Sequence, residues 1–271
     1  MTGLLAIRDG DITLEGVRLR TRHLGPDRPG PRLVFLHEGL GSIGQWKAFP
    51  QALCAATGLP GFLYERQGFG GSDPIVPGPR PLAYLDHEAT RVLPAVLDRL
   101  GIDQPVLVGH SDGATLALLF AAAFPTRAKA VVSIAAHVFV EEITLAGIDA
   151  AVHAWTHGDL RDRLSRHHGA NTEGAFRGWA ETWRLPAFRD WSMTARLPAI
   201  RCPLLAIQGE DDSYGSPRQV ATIVALAGGP ATPLMLPGCG HMPHLQVPER
   251  TVEAAGRFIV ESLEGATPDV I

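Results

Sequence analysis

Gly109-His110-Ser111-Asp112-Gly113 is a G-x-S-x-G pentapeptide, and its two flanks bear on what it can do. Pro105-Val106-Leu107-Val108 before it reads as a short buried strand, and the apolar run from Ala114 to Phe124 after it reads as a buried helix. A serine on a tight strand-to-helix turn is held in a strained conformation with its Oγ lifted off the sheet edge, the arrangement of a nucleophile elbow. The flanking glycines let helix and strand approach without a Cβ clash. A serine hydroxyl becomes a nucleophile when a neighbouring base takes its proton, and that base is usually a histidine oriented by a carboxylate. Two later loops offer those groups. Gly209-Glu210-Asp211-Asp212-Ser213 follows the apolar run Leu204 to Gln208, and Gly238-Cys239-Gly240-His241-Met242-Pro243-His244 follows Pro233 to Leu236. Glu210, Asp211 and Asp212 are the candidate acids, and His241 and His244 the candidate bases. The competing reading is a glycine-rich turn with an incidental serine. The strand, the helix and the two later loops weigh against it.

Such groups meet only if the elements carrying them end on one edge of a sheet. Asp11 to Leu14 and Val17 to His23 read as an antiparallel pair. Arg32 to His37, Gly61 to Glu65, the elbow strand, Ala130 to Ala135, Pro203 to Gln208 and Pro233 to Leu236 read as further strands, most of them continuous apolar runs buried on both faces. Helical stretches alternate with them: Gln45 to Thr57, Leu82 to Leu100, the elbow helix, Ser216 to Ala227 and Pro248 to Leu263. The order predicts an α/β fold, a mostly parallel eight-stranded sheet with helices on both faces. Residues 137–196 break the alternation. They hold no long β-branched run and contain Trp155, Trp179, Trp183 and Trp191. They are expected to form an inserted helical cap over the C-terminal strand ends, where open α/β sheets bind ligands, with residues 1–136 and 197–271 as the core. About half of these tryptophans should face the pocket. Residues after Glu264 are expected to fray.

The chain has 271 residues, 45% of them apolar, and a net charge of −4 from 24 basic and 28 acidic side chains. Neither the balance nor any charge run points to nucleic acid or an anionic membrane. The apolar run from Ala114 to Phe124 is too short to span a bilayer, and Met1 to Asp9 lacks the pattern of a signal peptide. Cys54, Cys202 and Cys239 form neither a disulfide framework nor a zinc pattern. The expectation is a cytoplasmic protein acting on a small molecule, with no metal and no cofactor. A homodimer stays open.

The chain resembles the α/β-hydrolase fold family, in its capped serine esterase, lipase and C–C hydrolase branch. The resemblance rests on His37-Glu38-Gly39-Leu40-Gly41-Ser42 with Trp46, Glu65-Arg66-Gln67-Gly68-Phe69-Gly70-Gly71-Ser72-Asp73, the Ser111 elbow, Gly209 to Asp212 and Gly240-His241. It implies a triad of Ser111, Asp212 and His241, with the acid at the end of a G-x-x-D loop. It also implies an oxyanion hole made by the backbone N–H groups of Gly39 and Asp112. The implied activity is hydrolysis of a small carboxylic ester through an acyl-enzyme. Acyl transfer, C–C bond hydrolysis and a non-catalytic ligand-binding role are the alternatives. Epoxide hydrolases and haloalkane dehalogenases of this family carry aspartate at the elbow, where this chain has Ser111.

Two residues depart from the family pattern. Glu38 stands where glycine is usual, and Asp112 where many relatives are apolar. Two carboxylates beside an oxyanion hole need partners. Arg66 is the expected partner of Glu38. Asp112 is either a helix-terminus acid or the partner of a substrate ammonium. With His137, Trp155, Trp179 and Trp183, these two residues make up the expected substrate-binding set.

Overall fold

In the computed structural model, residues 5–265 are described; most of the segment expected to fray lies outside them. Strands β1 (Ile7–Leu14) and β2 (Val17–Leu24) form the antiparallel hairpin. Then come β3 (Arg32–Leu36), helix α1 (Phe49–Thr57) and β4 (Gly61–Tyr64). Helices α2 (Tyr84–His87) and α3 (Leu93–Arg99) are joined by a π-helical turn, Glu88–Val92. The elbow joins β5 (Pro105–His110) to α4 (Asp112–Ala123), and β6 (Ala130–Ile134) follows. Three helices, α5 (Glu142–His157), α6 (Leu160–His168) and α7 (Thr172–Trp183), are inserted before β7 (Leu204–Gly209). Helix α8 (Arg218–Leu226), β8 (Ala231–Leu236), α9 (Pro243–Gln246) and α10 (Pro248–Glu264) complete the order.

The eight strands form one sheet in the order β1-β2-β4-β3-β5-β6-β7-β8, parallel from β4 to β8. Strand residues alternate between two cores. Leu33, Phe35, Val106, Val108, Leu205 and Ile207 pack on one face with α1 and α10. Val34, Leu36, Leu107, Val131, Leu204 and Ala206 pack on the other with α3, α4 and α8. Burial on both faces is why these strands read as unbroken apolar runs. The strand order reverses at β3, whose successor β4 lies on one side and β5 on the other. A crevice opens there at the C-terminal strand ends, the switch point at which doubly wound sheets bind ligands.

Several element boundaries differ from expectation. The helix expected from Gln45 starts at Phe49, after a separate 3₁₀ turn, Ile43–Trp46, and a left-handed Lys47 at φ 53°. The helix expected over Leu82 to Leu100 widens into its π turn just before Pro94, whose missing N–H cannot complete an ordinary helical turn. Strand β1 begins at Ile7, not Asp11; Ile7, Arg8 and Asp9 are exposed and carry no burial signal.

Candidate active site

Ser111 sits between β5 and α4 at φ 51° and ψ −117°, a conformation that costs a non-glycine residue of order 1–3 kcal/mol. The geometry accounts for both glycines of the pentapeptide. A Cβ on Gly113 would overlap the Leu36 carbonyl, and one on Gly109 would overlap the Gly113 carbonyl. His241 lies in the loop after β8. Its Nε2 is 3.0 Å from Ser111 Oγ, and its Nδ1 is 2.9 Å from both carboxylate oxygens of Asp212. Asp212 follows β7, is buried, and also accepts hydrogen bonds from the Tyr214 amide (2.8 Å) and Gln208 Nε2 (3.3 Å). Burial opposes its charge. The hydrogen bond and charge of His241, then the Tyr214 amide, outweigh that, and Asp212 is held below the usual carboxylate range.

The other candidate acids and base stand apart. Glu210 and Asp211 are exposed. His244 is buried against Trp46 and His110, with ring centroids 4.9 and 4.5 Å away, and burial pushes its pKa down to about 3. In the orienting role that the family resemblance gives Asp212, an asparagine would favour the wrong histidine tautomer. Asp212→Asn is therefore expected to lower kcat by about 10³- to 10⁴-fold, and Asp211→Asn by less than about twofold. Steady-state kinetics on a common ester checks this; comparable losses would move the orienting role to Asp211.

The backbone N–H groups of Gly39 and Asp112 have no acceptor among the described residues. Asp112 opens α4, where the helix dipole adds positive potential. Gly39 lies beneath the Trp179 indole of α7, and a Cβ there would collide with the ring. A cavity of about 700 Å³ opens over the serine. Glu38, Asp112, His137, Trp179 and Trp183 line it, while Trp155 does not. Trp155 stacks flat on Phe176 at 4.0 Å, with Arg161 over its ring. Trp191 stacks on Phe188 at 5.6 Å. Two of the four tryptophans thus face the pocket. His137 Nε2 lies 3.0 Å from the Tyr214 carbonyl, and its Nδ1 is buried without a partner.

The charge pairing around the loop after β3 differs from expectation. Arg66 grips the backbone carbonyls of Glu38 (2.6 Å) and His37 (3.3 Å), not the Glu38 carboxylate. Its Nη1 is 3.8 Å from the Asp112 carboxylate, which also accepts the Tyr84 hydroxyl at 2.9 Å. Tyr84 in turn accepts the Trp183 indole N–H at 2.9 Å. Asp112 is thus buried with two internal partners, which removes the reason to assign it a substrate ammonium. Tyr84 carried no motif that could have exposed this role. The nearest basic group to the Glu38 carboxylate is His110 Nδ1, at 3.5 Å. Glu38, His110 and His241 each bring a donor atom within 4.8 Å of the others. His241 spends both ring nitrogens on Ser111 and Asp212, so the trio does not make a metal cage.

The model of the α/β hydrolase fold family matches residues 31–197, more than half of the chain, and the chain belongs to that family. Ser111 lies within the match; Asp212 and His241 lie beyond it. "Epoxide hydrolase 2" of Siraitia grosvenorii is 33% identical over 128 residues, 46% of this chain and 38% of that protein. A 2-hydroxy-6-oxononadienedioate/2-hydroxy-6-oxononatrienedioate hydrolase of Burkholderia vietnamiensis is 36% identical over 121 residues, 43% of this chain and 40% of that protein. The matched segment is about two fifths of the length of these curated relatives. The crystal structure of proline iminopeptidase from Mycobacterium smegmatis superposes with a TM-score of 0.75, over 96% of this chain and all of that one. At 19% identity this is a likeness of fold. No helix among the described residues is long and apolar enough to cross a membrane.

Proposed function

We propose that this protein is a serine hydrolase that cleaves a small carboxylic ester through an acyl-enzyme. The observation that carries the reading is the alignment of Ser111 Oγ, the His241 ring and the Asp212 carboxylate at hydrogen-bond distances. His241 Nε2 takes the Ser111 proton as Oγ bonds to the carbonyl carbon. The N–H groups of Gly39 and Asp112 donate to the oxyanion. When the intermediate collapses, the ester C–O bond breaks and His241 gives its proton to the leaving alkoxide. Water then repeats the sequence on the acyl-enzyme, releasing the acid and restoring Ser111. Asp212 keeps the ring in the tautomer this needs. Helices α5 to α7 act as a cap, and Trp179 and Trp183 form its apolar contact with the acyl group.

The matched C–C hydrolase supports a second reading, cleavage of a C–C bond beside a carbonyl by the same three residues. Serine at the elbow argues against epoxide opening despite the epoxide hydrolase relative, since the family resemblance assigns aspartate to that chemistry. The test is a panel of aryl and alkyl esters, vinylogous diketones and epoxides, run beside a fluorophosphonate probe with peptide mapping. Ester turnover and labelling confined to Ser111 are expected. Epoxide turnover without labelling would overturn the proposal.

A further inference from the structure

The Glu38 side chain is not needed to hold its own turn. That is done by its backbone carbonyl, which accepts from the Gly41 amide (3.1 Å), Arg66 Nη2 (2.6 Å) and His37 Nδ1 (2.8 Å). The carboxyl group instead faces His110, with Oε2 at 3.5 Å from Nδ1. The other ring nitrogen of His110, Nε2, is 2.8 Å from the backbone carbonyl oxygen of His241. A carbonyl can only accept, so Nε2 carries a hydrogen. In a neutral ring Nδ1 then presents a bare lone pair to Oε2. A carboxylate facing a lone pair repels it, and one proton between them reverses the sign.

We propose that Glu38 and His110 hold one proton between them and act as a neutral positioning pair for His241. The pair fixes the His241 loop through the His110–His241 hydrogen bond. It also keeps a carboxylate charge away from the oxyanion. The proposal deepens the serine hydrolase reading and rests on it. Burial favours the uncharged form of both partners. It pushes the Glu38 carboxyl up and the His110 imidazole well below its ordinary range, so the proton resides on Glu38 and is donated to Nδ1.

The charged and titratable neighbours of Glu38 come from four loops or helix starts: His241 after β8, Asp112 at the start of α4, Arg66 after β4 and Tyr214 after β7. His110 is faced in addition by His244 of α9 and by His137 after β6. Arg66 and His241 favour the Glu38 anion and Asp112 opposes it, while burial is the largest influence. Tyr214, pushed up to about 12, remains protonated well past neutrality. Loss of the shared proton places a negative charge beside the developing oxyanion and turns the His110 contact repulsive. Activity then falls on the alkaline side although Ser111, His241 and Asp212 remain in place.

The test uses Glu38→Gln, whose amide donates to Nδ1 as the acid does and cannot ionise. Wild-type kcat/KM is expected to fall about tenfold per pH unit along an alkaline limb, the slope of one proton lost. E38Q, whatever its plateau, is expected to stay level over the same range. A second readout needs no turnover. The infrared difference spectrum of wild type against E38Q at neutral pH should show the carbonyl stretch of a protonated carboxyl, which disappears along the same limb. An alkaline limb identical in E38Q, or no carboxyl band in the difference spectrum, overturns the proposal. If ester turnover is absent altogether, the serine hydrolase reading has failed, and the infrared band still decides the state of the pair.

Discussion

Replacing Ser111 with alanine is expected to lower kcat by about 10⁴-fold or more, equivalent to about 5.4 kcal/mol of transition-state stabilisation. The loss should be this large because, in the proposed mechanism, Oγ is the atom that bonds to the substrate. The oxyanion donors can stabilise only a charge that some nucleophile has generated. Binding should survive, since the apolar cavity wall is untouched. So should the fold, because the Ser111 side chain has one hydrogen-bond partner among the described residues, His241. Alanine also carries the same Cβ at the same strained φ, so the backbone cost is unchanged. The measurements are single-turnover kinetics, the Kd of a product acid and the thermal midpoint. A kcat loss below about tenfold, with the midpoint unchanged, would assign the nucleophile elsewhere.

Acidification is expected to destabilise the fold steeply, through histidines outside the proposed triad. His37, His110, His137, His168 and His244 are all buried, and burial lowers the pKa of each. In the unfolded chain each takes up a proton near its ordinary pKa of about 6.5. The unfolded state then binds more protons, and stability present above that pH is lost as pH falls toward the folded-state values. Each group can contribute about 1.4 kcal/mol per pH unit within that window. Half-buried Glu38 and buried Glu65 and Glu88 act in the opposite sense, because desolvation raises their pKa and the folded state keeps their protons longer. Five histidines less three acids leaves up to about two net protons, or about 3 kcal/mol per pH unit, between roughly pH 6 and 4.5. Below that the unfolded acids are protonated too, their offset disappears and the slope steepens. Urea midpoints should fall continuously from pH 7 to below 5. A level or rising midpoint would mean that the histidines are charged in the folded protein.

Legibility in the sequence followed burial. Strands β3, β5, β6 and β7 are covered on both faces and stood out as apolar runs. Edge strands β1 and β8 are partly exposed, and both begin earlier than their apolar residues suggest. The chemistry-bearing loops were legible because each follows a strand at the same sheet edge, and glycine spacing marks them. What was hidden depends on side-chain direction. Arg66 was visible as a nearby cation, but whether it met a carboxylate or a carbonyl is a matter of rotamer. Trp155 belongs to the same inserted segment as Trp179 and Trp183, yet its place on α5 turns it toward Phe176. The π turn before Pro94 was concealed because an amphipathic pattern survives one widened turn.

The left-handed backbone at Ser111 has a consequence for how this chain can change over time. Glycine is the residue that position accommodates best, and a serine-to-glycine exchange there would recover on the order of 1 kcal/mol of strain. The single substitution that most relaxes the turn is also the one that deletes the hydroxyl. Drift guided by stability alone would therefore empty the site while leaving a sturdier fold, a form in which such a scaffold could persist as a binding protein. A laboratory selection that rewards thermal tolerance without assaying turnover would be drawn toward that same exchange.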